Sequence, residues 1–354
     1  MDLIEQTLAA IAPLDFAARR DASARLDSLT KPAGSLGYLE DLVLQYAAIR
    51  HDCAARFGGG ALMVFVADHG VANAAVSAYP KAVTAEMLRN IGAGGAAISV
   101  LARSFGYQLL VTDVGVETDT SISPLPSVRY RRVGAGTHNF LDGPAMSLEE
   151  TRQALEIGIE TTREAAAGGA TLVGIGEMGI ANSTSAAALL AALTGLEPRR
   201  LVGRGTGLDD VGLERKIGVV GAALQLHREF FKDGLQTLAA LGGFEIAAMT
   251  GACLAAAAYN LPMVIDGFIA TAAAAIAQSI RPGLSDYMFF GHRSAEAGHS
   301  IVLEMMGARP ILDLGMRLGE GTGAALAMKT IESALALFHQ MATFTSAEVS
   351  GKLE

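Results

Sequence analysis

The chain has 354 residues, 51% hydrophobic and 18% charged, with a formal net charge of −9. That length predicts two domains, or one large α/β domain with an appendage. An acidic chain without a basic run argues against nucleic acid or an anionic membrane as partner. Its two cysteines, Cys53 and Cys253, stand in no metal-ligand spacing, so no disulfide framework is indicated and a reducing cytosol is the natural reading. Residues 1–22 read as an amphipathic helix without the basic segment and long apolar core of a signal peptide. The alanine-rich stretches 183–195 and 246–280 are broken by polar residues such as Thr250, Asn260 and Asp266. They read as buried helices and strands, not membrane spans.

In chain order, residues 1–28 read as helical, with no strand neighbours. LTKPAGSLG (29–37) is a Pro/Gly turn carrying Lys31, a structural or lid loop. ALMVFVA (61–67) leads into Asp68-His69-Gly70, and VSAYP (76–80) with VTAEM (83–87) makes a polar-aromatic loop suited to stacking on a flat ring. YQLLVT (107–112) leads into Asp113, TLVGI (171–175) into Gly176-Glu177, and MVI (263–265) into Asp266-Gly267. YMFF (287–290) leads into Gly291-His292-Arg293, and PIL (310–312) into Asp313. Short apolar runs closed by polar residues are the pattern of buried parallel strands. Ala/Leu-rich helical segments lie between them, at 84–103, 147–167, 183–194, 211–240, 245–258 and 268–279. This alternation predicts an α/β fold with a mostly parallel sheet flanked by helices. Residues 325–350 read as helical again, so the two chain ends are expected to pack together as a small helical domain. The expected boundaries are 29–324 for the large domain and 1–28 plus 325–354 for the small one.

Ligands of open α/β sheets bind beyond the carboxyl ends of the strands. Asp68, His69, Glu177, Asp266 and His292 are therefore expected along one polar edge, whereas Asp113 and Asp313 read as caps of the next helix. Two carboxylates sit inside glycine clusters: Glu177 in GIGEMG (174–179) and Glu320 in RLGEGTG (317–323). Glycine permits close backbone approach but costs roughly 0.5–1 kcal/mol per residue in regular structure. Acids in that setting are candidates for chemistry on a bound small molecule.

The segment from Gly176 to Gly195 runs from glycines through Asn182, Ser183, Thr184 and Ser185 at a helix start. Free N–H groups and the helix dipole favour an anion there. It is no Walker A loop, because Gly-Lys-Ser/Thr is missing. VGRGTGLDD (202–210) places Arg204 among Gly205, Thr206 and Gly207, where it can contact phosphate or ribose, or form an ion pair. FGHRSAEAGH (290–299) gathers His292, Arg293, Ser294, Glu296 and His299 without the histidine spacing of a helical metal site, so no metal is expected. No Ser-His-Asp order or Cys-His pair supports acyl chemistry.

Taken in order, these loops resemble the nicotinate-nucleotide–dimethylbenzimidazole phosphoribosyltransferase family. The resemblance runs from LTKPAGSLG to GMRLGEGTGAAL, ending at residue 326. It includes ADHGV, VSAYP, AGGAAI (93–98), DVGV (113–116), GEMGI, GRGTGLDD, GGFEIAAMTGA (242–252), DGFIATAAA (266–274) and HRSAE (292–296). It implies a Rossmann-like large domain, a small helical domain from both chain ends, and a homodimer. The implied reaction moves 5-phosphoribosyl from nicotinate mononucleotide to a ring nitrogen of 5,6-dimethylbenzimidazole or a related lower-ligand base. It inverts C1′, releases nicotinate and gives α-ribazole 5′-phosphate for the nucleotide loop of cobalamin, with no metal or cofactor.

The resemblance places the catalytic base at Glu320, supported by Glu177 and Lys216. Substrate and phosphate binding is expected from Gly176, Asn182, Ser183, Thr184 and Ser185, from Arg204, Gly205, Thr206 and Gly207, and from Ser294. The acceptor base is expected against Ser77, Tyr79, Glu86, Met178 and Leu318. The chain departs from the family pattern at three places: Ala-Asn-Ser-Thr follows GEMGI where Gly-Asn-Thr-Thr is usual, Ala297 stands where Pro is common, and Glu86 where Gln is frequent. Two other readings compete: a phosphoribosyltransferase or nucleoside phosphorylase-like protein acting on another base, and a non-catalytic nucleotide-binding or regulatory module that keeps the fold. A dehydrogenase is disfavoured by the missing G-x-G-x-x-G after a strand.

An ionised Glu86 in contact with the acceptor ring accepts hydrogen bonds but donates none. Glu86→Gln is then expected to change the ranking of dimethylbenzimidazole against adenine and phenol as acceptors. An unchanged ranking in competition assays places Glu86 outside the base pocket.

Overall fold

The computed structural model describes residues 2–350. Seven strands form one parallel sheet: β1 (Gly60–Ala67), β2 (Gln108–Gly115), β3 (Val128–Tyr130), β4 (Leu172–Met178), β5 (Met263–Ile265), β6 (Met288–His292) and β7 (Pro310–Leu312). Their order is β3-β2-β1-β4-β5-β6-β7, with every neighbouring pair parallel. All eight residues of β1 are buried, as a strand covered on both faces requires. On one face Met63 Sδ accepts from Thr162 of the helix Leu148–Ala167. On the other, Gly60 and Gly174 lie under Met328 of the helix Thr322–Gln340. The α/β architecture expected from the alternating pattern is the one found.

The chain winds outward from β1 through β2 to β3, then returns to the centre and winds the other way from β4 to β7. The direction of winding reverses between β1 and β4, and a crevice opens at such a reversal, beyond the carboxyl ends of the two strands. The loops after β1, β4, β5 and β6 all leave from that edge.

Three local differences from the sequence reading have plain causes. The expected helix 84–103 is two helices, Val83–Gly92 and Ala97–Phe105, because Gly94 takes φ +88° between them. The expected helix 211–240 is likewise divided into Asp210–Leu226 and Gly234–Leu241, the second capped by Asp233, which accepts from Gln236 N at 2.9 Å. Strand β3 is three residues long and polar at its centre, too short for an apolar run to reveal it.

Helices lie near both ends of the described chain, but the C-terminal one stops at Gln340, and residues 341–350, expected to be helical, form turns and irregular chain. The helix Leu3–Ala10 is closed by a capping box between Asp2 and Glu5 and packs on the helices Leu148–Ala167 and Phe244–Ala258. The helix Phe16–Ser28 packs on Tyr38–Arg50. From it Arg25 Nε donates to Phe338 O at 3.1 Å, and beyond it Leu29 bridges Thr343. The expected boundary at 324/325 falls inside the helix Thr322–Gln340, whose start lies on the sheet and whose last turns meet the N-terminal segment. Residues 351–354 of the expected small domain lie outside the described residues. Among the described residues no helix is long and apolar enough to cross a membrane.

The helices Leu148–Ala167 and Phe244–Ala258 touch backbone to backbone. A Cβ built on Gly158 would lie 1.8 Å from Ala248 O, and one on Gly251 2.0 Å from Leu155 O. Rigid main chain cannot yield as a flexible side chain can. Gly158→Ala is therefore expected to push the pair apart and lower stability by about 1–3 kcal/mol, the usual cost of overpacking. Denaturant unfolding checks this, and an unchanged midpoint would mean the helices separate freely.

Candidate active site

The crevice is built around one strained turn. Gly319, Glu320 and Gly321 take φ values of 86°, 62° and 89° in succession. For a residue with a Cβ such a left-handed conformation costs about 1–2 kcal/mol. The turn is pinned from several sides. Glu320 N donates to Glu177 O at 3.2 Å, and Thr322 Oγ1 donates to Gly319 O at 2.8 Å. Asp266, just past β5, accepts from Gly321 N at 3.2 Å and from Ala324 N at 2.8 Å. Gly176 on β4 lets the turn approach, since a Cβ there would sit 2.3 Å from Gly321 N. This explains the two glycine clusters noticed in the sequence: they are the two sides of one backbone contact.

The buried Glu320 carboxylate accepts from Ile98 N at 3.2 Å, at the start of the helix Ala97–Phe105. That helix has no side-chain cap of its own, and the free N–H stabilises a carboxylate. Burial raises the Glu320 carboxyl above its ordinary range, against the pull of Ile98 N and with a smaller push from Asp266. Glu177 points into the crevice from β4 and accepts a hydrogen bond from Asn182 Nδ2. Burial first, and then the charge of Glu245, hold it up at about 8, while Asn182 opposes them. Asp266 is also raised by burial, opposed by His292, whose Nε2 lies 3.8 Å away.

The opposite wall carries hydroxyl and main-chain groups of Ser183, Gly205, Thr206 and Ser294, with a buried cation behind it. Lys216 is 1% exposed, so it is no solvated helix residue. Its Nζ donates to Ser183 Oγ at 2.8 Å and to Gly203 O at 3.2 Å. Burial lowers its pKa to about 8, with Glu296 opposing. Thr206 Oγ1 receives Ala78 N at 3.1 Å and lies 3.1 Å from Ser77 Oγ, closing the loop over the crevice. Between the walls lies a cavity of about 240 Å³.

Of the expected site residues, Tyr79, Glu177, Met178, Asn182, Ser183, Gly205, Thr206, Ser294 and Leu318 line this cavity. Glu320 follows Gly319 of the lining and turns its carboxylate to Ile98. Lys216, Gly176 and Ser77 are outside the lining but adjoin it through Ser183, Glu177 and Thr206. Five residues lie elsewhere than expected. Thr184 is fully buried, and Ser185 donates to Leu241 O inside the core, because successive positions at a helix start face different ways. Arg204 spends its guanidinium on Leu208 O, at 2.9 Å, and on Asp210, and with Gly207 it lines a neighbouring cavity. Glu86 is exposed and lies outside the lining. Asp113 accepts from Val116 N at 2.9 Å and from Thr120 Oγ1 at 2.5 Å, and Asp313 pairs with Arg293 at the surface, 3.7 Å away. Neither caps the following helix.

Sequence reasoning missed three features. The helix Phe268–Ile280 begins at Gly267 without a side-chain cap, and residues 267–270 line the cavity with its N-terminus. Arg317 lines both cavities. Glu245, fully buried, lies with Oε1 2.6 Å from His69 Nε2. The signals were faint: a glycine in place of a cap before an apolar helix, and an acid after Gly-Gly-Phe in an otherwise apolar run. Among the described residues no group of His, Cys, Asp and Glu is arranged to hold a metal.

Fold and crevice together define a phosphoribosyltransferase: the family model described by that word matches residues 11–349. The curated nicotinate-nucleotide–dimethylbenzimidazole phosphoribosyltransferase of Chloroflexus aurantiacus is 48% identical over 353 residues, covering 100% of both chains. That of Chlorobaculum tepidum is 47% identical over 351 residues, covering 99% of each. The crystal structure of CobT from Thermus thermophilus superposes with a TM-score of 0.90 at 45% identity, over 94% of this chain and 99% of that one. The chain belongs to the nicotinate-nucleotide–dimethylbenzimidazole phosphoribosyltransferase family.

The raised Glu177 makes stability depend on pH in a defined direction. Its ordinary value is 4.5 and its value in the fold about 8. Between these the folded chain keeps a proton that the unfolded chain has released. The stabilising contribution is complete below the lower value and is lost as pH rises through the upper one. Glu177→Gln removes this dependence. From about pH 5 to about pH 8.5 the wild type is expected to lose on the order of 3 kcal/mol relative to the variant. Denaturant titrations of both proteins at the two pH values measure the difference, and parallel losses would place an ionised Glu177 in the fold.

Proposed function

We propose that this chain transfers the 5-phosphoribosyl group of nicotinate mononucleotide to a ring nitrogen of 5,6-dimethylbenzimidazole, with Glu320 as general base. The observation that carries this reading is the buried Glu320 held on a strained glycine turn against β4, where the strand order reverses, next to Gly319 of the cavity lining. The relatives named above carry this activity in their names.

The donor has its own leaving group, because its pyridinium nitrogen is already positive. The protein supplies alignment of the two reactants and removal of one proton. One ring nitrogen of the acceptor attacks C1′ as the glycosidic bond to nicotinate breaks. The bonding pair passes to the pyridine nitrogen, and nicotinate leaves. Glu320 takes the proton from the acceptor's other ring nitrogen. Its burial, which raises its proton affinity, suits it to that step.

The phosphate is assigned to the wall of Lys216, Ser183, Gly205, Thr206 and Ser294, with the uncapped start of the helix Phe268–Ile280. Main-chain N–H groups and a positive helix end are the ordinary means of holding phosphate. Tyr79 and Leu318, 55% and 59% exposed at the rim, and Met178 within, offer apolar surface to a flat base. We assign the protein to the cytoplasm as a homodimer, with a small helical unit formed by the helices Phe16–Ser28 and Tyr38–Arg50 and the last turns of Thr322–Gln340. The reading requires neither metal nor cofactor.

Glu320→Gln keeps size and one hydrogen-bond acceptor but cannot take the proton. Turnover with dimethylbenzimidazole is expected to fall by about 10²–10⁴-fold, the usual contribution of a general base, while nicotinate mononucleotide still binds. Product mass spectrometry and calorimetric binding check the two halves. Near-full activity in the variant would move the role to another residue, with Glu177 the next to test.

A further inference from the structure

We propose that Asp266 is the positioning residue for Glu320, anchoring through two main-chain hydrogen bonds the strained turn from which Glu320 works. The inference rests on Glu320 being the base. Asp266 is buried just past the end of β5. Its Oδ2 receives Gly321 N at 3.2 Å and its Oδ1 receives Ala324 N at 2.8 Å. One carboxylate thus grips the residue after Glu320 and the first turn of the helix that follows.

The geometry needs such an anchor. Three successive residues hold positive φ, and a non-glycine residue keeps such a conformation only where its surroundings over-determine it. The helix Thr322–Gln340 begins at Gly321 without a side-chain cap from its own segment, so its first N–H groups are left for a partner elsewhere. Asp266 is that partner, delivered from a different strand. The other fixed points of the turn are main-chain or hydroxyl contacts, from Glu177 O and Thr322 Oγ1. Asp266 alone among these anchors brings a charge.

That charge gives the role a signature that a structural contact lacks. The charged and titratable groups around Glu320 are Glu177 on β4 with Glu245 behind it, Asp266 after β5, and His292 on β6 beside Asp266. Ile98 N faces it from the helix Ala97–Phe105. A negative Asp266 makes Glu320 hold its proton more firmly. Removing that charge is expected to move the acid limb of the kcat profile to lower pH, while loosening the turn lowers the plateau.

The test uses Asp266→Asn in the full-length protein, assayed with nicotinate mononucleotide and dimethylbenzimidazole across pH. Asparagine keeps one acceptor for two N–H groups and carries no charge. We expect kcat to fall by about 10–100-fold, the scale of a misplaced catalytic group. We expect KM for nicotinate mononucleotide to stay within about threefold, and the acid limb to move to lower pH. In the Glu320→Gln background the same change is expected to cost less than about twofold, because the turn then positions no base. An unmoved acid limb, a full loss repeated in that background, or a raised KM at unchanged kcat would each overturn the inference. Activity retained by Glu320→Gln alone would instead remove the base assignment beneath it. Should the asparagine variant fail to fold, Asp266→Ser, a smaller helix-capping side chain, carries the same measurements.

Discussion

The structure depends on one backbone contact: the turn around Glu320 lying against Gly176 and Glu177 at the end of β4. β4 is the strand at which the winding reverses, so the crevice opens beside it. Bringing a second chain segment within main-chain distance of a central strand requires glycine on both sides. The chain supplies Gly176 on the strand and Gly319 and Gly321 on the turn. The unfavourable conformation of Glu320 is the cost, and hydrogen bonds from three directions offset it. Two acids far apart in sequence thereby share one crevice.

The electrostatics follow from that crowding. Glu177, Glu245, Asp266 and Glu320 are all buried, and for Glu177, Asp266 and Glu320 burial favours the protonated form. Each acid is met by specific partners: Asn182 for Glu177, His69 for Glu245, the N–H groups of Gly321 and Ala324 for Asp266, and Ile98 N for Glu320. A buried cation stands behind the opposite wall. Lys216 lies buried against a hydroxyl and a carbonyl, and the uncapped start of the helix Phe268–Ile280 faces the cavity. A site with a base on one side and an anion-binding wall on the other suits a phosphorylated donor and a neutral acceptor carrying a removable proton. A large apolar core carries this polarity: helices on both faces of the sheet bury β1 entirely, and the closest of them approach through glycine.

The α/β class, the parallel strands and the polar edge were legible in the sequence because each leaves a local mark. Apolar runs of strand length end in Asp, His or Glu, and alanine-rich helices intervene. The glycine frames around Glu177 and Glu320 were legible for the same reason, since a tight approach requires glycine wherever it occurs. Those frames determined which acids to suspect. What they faced was a matter of tertiary structure. Which of Asn182, Ser183, Thr184 and Ser185 reach the cavity depends on how their helix is rotated against Leu241 and Lys216, partners remote in sequence. Arg204 read equally as a phosphate ligand or an ion-pair partner, and the fold gave it Leu208 and Asp210. Asp266 read as one polar residue of the edge, yet it caps a helix that begins more than fifty residues later. Composition and spacing record the local conformation a residue tolerates. They do not record the partner it meets, because that partner arrives from another strand only when the sheet closes.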